Sequence, residues 1–202
     1  MSNIITITRE FGSGGREVGK RMADILNLPY YDKEILTKIA EESGLSREYV
    51  EKHSTKITHS YPISVGRTFV APPVASLSDT IFTTQAKIIR DLANEGSCII
   101  VGRCGDFFLK EQNPLSINIY ASLEARLSRC YEKGSDDINL SEKEMRAKIL
   151  GVDKQRKKYY EYYTGQKWHA AENYSVSIST SKFGVKETAN ILAKLYEVSQ
   201  TE

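Results

Sequence analysis

Five arginines stand where they could hold phosphate. Arg16 follows a small-residue run, Gly12-Ser13-Gly14-Gly15. Arg103 follows the apolar run Cys98-Ile99-Ile100-Val101 after one glycine. Arg126 and Arg129 are three residues apart, and Arg156 lies three after Asp153, so each pair shares one face of a helix. Phosphoryl transfer asks a protein mainly for fixed cations and in-line positioning. A planar guanidinium suits that task, because it grips phosphate oxygens in pairs. The plainer use of such charges is surface ion pairing, which stays open for Arg126, Arg129 and Arg156. Arg103 is assigned to function, because ligands of open parallel sheets collect at the carboxyl ends of strands.

The elements that must position these residues begin with Ile4 to Thr8, a β-branched, apolar-rich stretch suited to a buried strand. The glycine run comes next, and Val18 and Met22 then open a helical period. Strand, glycine turn and helix make a phosphate cradle: small residues let the backbone curl, and the helix start adds partial positive charge. The standard phosphate loop reads G-x-x-x-x-G-K-[ST]. Setting Gly14 at its second glycine puts Gly15 at the lysine; setting Gly15 there puts Arg16 at the lysine and Glu17 at the hydroxyl residue. In the second register Arg16 supplies the cation and Glu17 could hold magnesium, directly or through water. Whether Arg16, Arg9 or Lys20 reaches a terminal phosphate stays open. A dinucleotide fingerprint competes, with Gly12-x-Gly14 and with Asp32 twenty residues beyond Gly12, but Glu17 stands where its third glycine belongs. A glycine turn serving only tight packing is the other alternative.

The chain has 202 residues, 40% hydrophobic and 27% charged, as in ordinary soluble domains. Its net charge of +2 gives no reason to expect a nucleic-acid partner. No apolar run approaches the roughly 18 residues of a membrane span. Three scattered cysteines, Cys98, Cys104 and Cys130, make neither a disulfide framework nor a zinc site. The expected home is a reducing cytoplasm.

In chain order, a helix is expected from Gly15 to Leu26, a short strand at Pro29-Tyr30-Tyr31, and helices over Lys33–Ser43 and from Ser46 to about His53. Thr55 to Leu77, with three prolines, reads as a long excursion, either a lip over substrate or a passive loop. Helix is expected again over Asp79–Asn94, capped by Ser78. Strands follow at Cys98–Val101 and Ile117–Tyr120, then a helix over Ser122–Lys133. Gly134-Ser135-Asp136-Asp137 is a polar break. Ser141 with Glu144 forms a capping box opening a helix to about Tyr163. A fifth strand around Val176 and Ile178 precedes a helix over Gly184–Val198, with Leu195 on its inner face. The alternation specifies an α/β fold, a mainly parallel five-stranded sheet between helical layers. The Tyr159–His169 segment is dense in aromatics; core packing, stacking on a ring and a partner contact are its three possible uses.

The whole chain resembles the cytidylate kinase-like family of nucleoside monophosphate kinases, within the P-loop NTPase class. The resemblance is carried by ITREFGSGGREVGKRMADILNLPYYDKEIL, by Gly102-Arg103, by Ala121–Arg129, by Asp153-x-x-Arg156 and by Ile178-Ser179-Thr180. Compared with true cytidylate kinases, Gly15 falls at the loop lysine, Cys104 replaces an aspartate and Cys130 replaces an arginine. The resemblance implies a three-layer P-loop kinase domain over 1–202, with an acceptor-binding insert at about 33–95 and a lid at about 130–145. It implies ATP and Mg²⁺, with Gly12, Ser13, Gly14, Gly15, Arg16 and Glu17 around the donor phosphates. Asp32, Lys38 and Arg103 would meet a small phosphate acceptor. Arg126, Arg129, Arg156 and Asp153 would close over the transferring group. The expected activity is ATP-dependent phosphotransfer by a monomer or homodimer. The alternatives are a nucleotide-binding module that has lost the lysine and turns nothing over, and an interaction protein using the tyrosine-rich helix.

Overall fold

In the computed structural model, which describes residues 4–55, 77–133 and 139–201, the alternation becomes a sheet whose strand pairs all run parallel. β1 (Ile4–Arg9) leads through the glycine turn into α1 (Gly15–Leu26). β2 (Tyr30–Tyr31), α2 (Glu34–Ser43), α3 (Arg47–His53) and α4 (Leu77–Glu95) follow. The next elements are β3 (Cys98–Val101), the single turn α5 (Gly105–Phe108), β4 (Leu115–Tyr120) and α6 (Leu123–Glu132). α7 (Glu142–Thr164), β5 (Val176–Ser179) and α8 (Thr180–Ser199) close the chain. The strand order is β2-β3-β1-β4-β5, so β1 lies in the middle and ends at Arg9.

The two faces of the sheet divide the core. Ile5, Ile7, Ile99 and Val101 meet Val18 and Met22 of α1 and Leu192 of α8. Ile4, Cys98 and Ile100 meet Ile35, Ile39 and Ile89 on the other side, with Tyr159 and Tyr160 of α7. This is period-two alternation, and each fully buried isoleucine contributes about 1.5–3 kcal/mol. Leu127, Met145 and Ile149 join α6 to α7.

Ser78 does not cap its helix as expected, because α4 already starts at Leu77 and takes Ser78 inside it; the other expected caps form. The Ser46 and Ser122 side chains accept from the amides of Tyr49 and Ala125, and Ser141 with Glu144 closes both halves of the capping box. Three further expectations shift. α5 is a turn of helix the periodicity did not indicate. α8 starts at Thr180 rather than Gly184, which instead interrupts it at φ 71°, ψ 165°. Leu195 is 38% exposed, and Tyr196 is buried among the α1-side residues instead. Tyr159 and Tyr160 are buried and Tyr162 is exposed, so much of the aromatic segment is core. The expected excursion over Thr55–Leu77 lies, apart from its ends, outside the described residues, and so does the polar break at Gly134–Asp137.

Candidate active site

The turn after β1 opens α1 on a glycine. Gly14 is the N-cap at φ 82°, and among the described residues no side chain caps the helix. The amides of the first helical turn have no carbonyl within the helix to reach, which leaves them for an anion. Glycine is required at 14: a Cβ there would lie 2.7 Å from Val185 Cγ2, at a φ that side chains rarely adopt. Ser13 is buried beneath the turn; its hydroxyl donates to Glu10 O at 2.9 Å, and its carbonyl accepts from Thr180 Oγ1 at 2.6 Å.

Two cavities adjoin this turn. One, of about 290 Å³, lies over the turn and is lined by Gly12, Gly14, Gly15 and Glu17, with Arg129 and Lys133. The other, of about 200 Å³, lies over the end of β3 and is lined by Gly102, Arg103, Ser54, Tyr159 and Trp168. Arg9, Arg16 and Arg156 line both. The sequence-expected Arg16, Arg103, Arg129 and Arg156 are therefore gathered at one place, the carboxyl end of the sheet. Arg9, considered from sequence only as one possible phosphate ligand, joins them. The strand-end argument applied to Arg103 applies equally to Arg9.

Each arginine is aimed by its backbone setting. Gly102, Arg103 and Cys104 turn successively through φ 73°, 60° and 55°. This left-handed run costs of order 1 kcal/mol at each non-glycine and is the kind of strain that gathers at functional sites. Gln85 Nε2 secures the turn by donating to Arg103 O at 2.9 Å, while Arg103 Nη1 donates to Ser54 Oγ at 2.7 Å. Arg9 lies across Gly102, where a Cβ would stand 1.8 Å from its Nη1. Arg156 Nη1 donates to Arg9 O at 3.1 Å, and Arg129 Nη1 to Gly12 O at 2.7 Å.

The site is short of negative charge. Asp32, buried at the end of β2, takes Arg16 Nε at 2.7 Å on one oxygen and stands 3.7 Å from Arg9 Nη2 with the other. Burial first, then the neighbouring Arg156, pushes the Arg9 guanidinium well below its usual range. Burial also lowers Arg103, and lowers Arg156 to about 10. Arg9 Nε and Arg103 Nε are buried without a hydrogen-bond partner among the described residues. Buried cations with unused donors are stabilised by an anion, so the residues present fit phosphate.

Some expected residues sit elsewhere. Arg126 and Asp153 were expected to close over the transferring group but line neither cavity. Arg126 Nε donates to Phe11 O at 2.7 Å, Nη1 meets Glu10 Oε1 at 3.2 Å and Nη2 binds Asp153 Oδ2. Asp153 Oδ1 accepts the Phe11 amide at 2.8 Å. The pair thus braces the start of the glycine turn from below. Lys38 is exposed on α2 and lines neither cavity. Cys104 is buried, and burial raises its thiol pKa, as suits an inert thiol. Glu17 does not fit a direct magnesium ligand as it stands. Arg21 donates to Oε1 from Nε and Nη2 at 3.1 and 3.0 Å, and Lys133 Nζ binds Oε2. Among the described residues no cluster of three or more His, Cys, Asp or Glu side chains could hold a metal.

A parallel sheet of this order, with an uncapped glycine turn after its central strand and arginines at the strand ends, defines a kinase-like P-loop fold. Solved structures bear out the class. A shikimate kinase from Bacteroides thetaiotaomicron superposes at TM-score 0.60 with 12% identity, over 96% of this chain and 98% of its own. A shikimate kinase from Acinetobacter baumannii, in complex with shikimate, does so at 0.53 with 13% identity, over 98% and 95%. An uncharacterized protein from Eubacterium ventriosum is more similar, at TM-score 0.71 and 27% identity, over 96% of this chain and 98% of its own. The chain belongs to the cytidylate kinase-like family, whose model matches residues 4–182. No curated protein matches it. Among the described residues no helix is long and apolar enough to cross a membrane.

Proposed function

We propose that the protein is an ATP-dependent phosphotransferase acting on a nucleoside monophosphate or a related small anionic acceptor. The observation that carries this is the pair of cavities that share Arg9, Arg16 and Arg156. A donor and an acceptor placed in the two would meet at the shared arginines. Fixed guanidiniums there would stabilise the charge spread over the transferring group's oxygens without reorganising. The turn amides and Arg129 would hold the donor phosphates. Arg103 would hold the acceptor's anionic group, and Tyr159 with Trp168 would wall its apolar part. Asp32 would fix Arg16 and Arg9 between them, and Arg126 with Asp153 would keep the turn in shape. Residues 33–95 would form the acceptor side and 130–145 the lid. Magnesium would travel with the donor's phosphates, as is usual for that ion; since Glu17 is doubly occupied, no step is assigned to the metal.

A coupled ADP-release assay tests this over nucleoside monophosphates and small hydroxy acids, shikimate included because a solved structure of similar fold holds it. Acceptor-dependent ADP release by the wild type, lost in Arg103→Ala, supports the proposal. Release that no acceptor stimulates refutes it. The missing loop lysine favours a second reading, a nucleotide-binding module without turnover. That reading expects ATP to raise the melting temperature while no acceptor is phosphorylated.

A further inference from the structure

We infer that Lys133, just beyond the end of α6, supplies the ammonium that the glycine turn lacks, passing from Glu17 onto the donor's phosphates. The inference rests on the reading of the cavity over the turn as the donor site. Three of the four guanidiniums around that cavity are already directed, and the fourth, Arg9, is buried against Gly102 and Asp32. Arg16 is ion-paired with Asp32 at 2.7 Å, while Arg129 donates to Gly12 O and Arg156 to Arg9 O, contacts that hold each planar fork. Lys133 is different in kind. It lines the same cavity as a compact charge on a flexible stem, its side chain 55% exposed, and it binds Glu17 Oε2 on the rim. It lies four residues after Arg129, so the two project from one side of the helix end.

The exchange leaves no charge stranded. Glu17 stands in the first turn of α1, where a helix favours a negative group. A polyphosphate entering there carries more charge than one carboxylate and draws the ammonium across the cavity. Glu17 keeps Arg21 on its other oxygen at 3.0 and 3.1 Å, so the departing lysine does not orphan it. The hydrogen bond from Lys133, ahead of the smaller effect of Arg21, holds the Glu17 carboxyl below its usual range. Glu17 thereby acts as the lysine's resting place rather than as a metal ligand.

The test is titration calorimetry of ADP into the full chain with EDTA present, so that no metal contributes. The proteins are wild type, Lys133→Met, Lys133→Arg, Glu17→Gln, the Glu17→Gln/Lys133→Met double variant and, as a control away from both cavities, Lys194→Met on α8. Circular dichroism melting verifies that each is folded. The expected result is about a 10-fold or greater loss of affinity in Lys133→Met. Lys133→Arg should retain most of the affinity, and Lys194→Met all of it. Glu17→Gln should bind at least about 3-fold more tightly, a gain that shrinks in the Lys133→Met background because the two residues are coupled. Wild type binding ADP with Lys133→Met equal to it within 2-fold would overturn the inference and leave the donor site standing. A wild type that does not bind ADP would remove the donor site and the inference together.

Discussion

Gly102→Ala is the sharpest probe of how the arginines are held. At φ +73° an alanine pays about 1–2 kcal/mol for the left-handed backbone. Its Cβ would also lie 1.8 Å from Arg9 Nη1 and 2.7 Å from Arg9 Cζ. Arg9 is not a loose surface chain that can swing aside. Its side chain is 11% exposed, Asp32 faces Nη2, and Arg156 holds its carbonyl. Displacing a buried group of this kind adds about 1–3 kcal/mol, by analogy with overpacked cores. Gly44→Ala separates the two terms, since Gly44 has φ +69° and open space where its Cβ would go. Gly44→Ala should therefore lose about 1–2 kcal/mol and Gly102→Ala about 2–5 kcal/mol in urea unfolding. Gly102→Ala should also weaken ADP binding about 10-fold, because Arg9 no longer faces both cavities. If the two variants share one unfolding midpoint and both bind ADP as the wild type does, Arg9 is not seated by Gly102 and the account of the shared arginines fails.

Two further outcomes follow from the same geometry. Arg103→Ala should raise the acceptor KM about 10-fold or more while changing ADP affinity less than about 3-fold, and Arg129→Ala should do the reverse; equal effects of both variants on both ligands would refute the division into donor and acceptor cavities. His169 concerns stability. Burial, ahead of the nearby Arg126 and Arg156, pushes its pKa down from 6.5 to about 4. The folded state keeps the ring neutral while the unfolded chain takes up a proton below about 6.5, so stability is full above that pH and falls by up to about 3 kcal/mol as pH drops toward 4. His169→Asn keeps a residue that tolerates the φ of 61° and should flatten the wild-type slope of urea midpoint against pH between 7 and 4.5; identical slopes would exclude His169 as the cause.

Much of this molecule was written locally. Ile4 to Thr8, the glycine run and the Val18–Met22 period fix strand, turn and helix within one short stretch, because β-branching, freedom from a Cβ and helical spacing each act over a few residues. Ser141 and Glu144 fix a helix start in the same way. The strand-end position of Arg103 was legible too, since a continuous apolar run must end somewhere and parallel sheets gather ligands at that end. What the sequence could not show was which charges face a cavity and which face each other. Arg126 and Arg129 are three residues apart on one helix, yet the first is buried against Glu10 and Asp153 and the second lines the cavity over the glycine turn. Glu17 carries the charge of a metal ligand, but Lys133, distant in sequence, reaches it. Arg9 stands between two cavities only because β3 brings Gly102 beneath it, a parallel neighbour almost a hundred residues away. Short-range steric and hydrogen-bonding preferences determined the elements; long-range charge pairing, which depends on how the elements are brought together, decided the site.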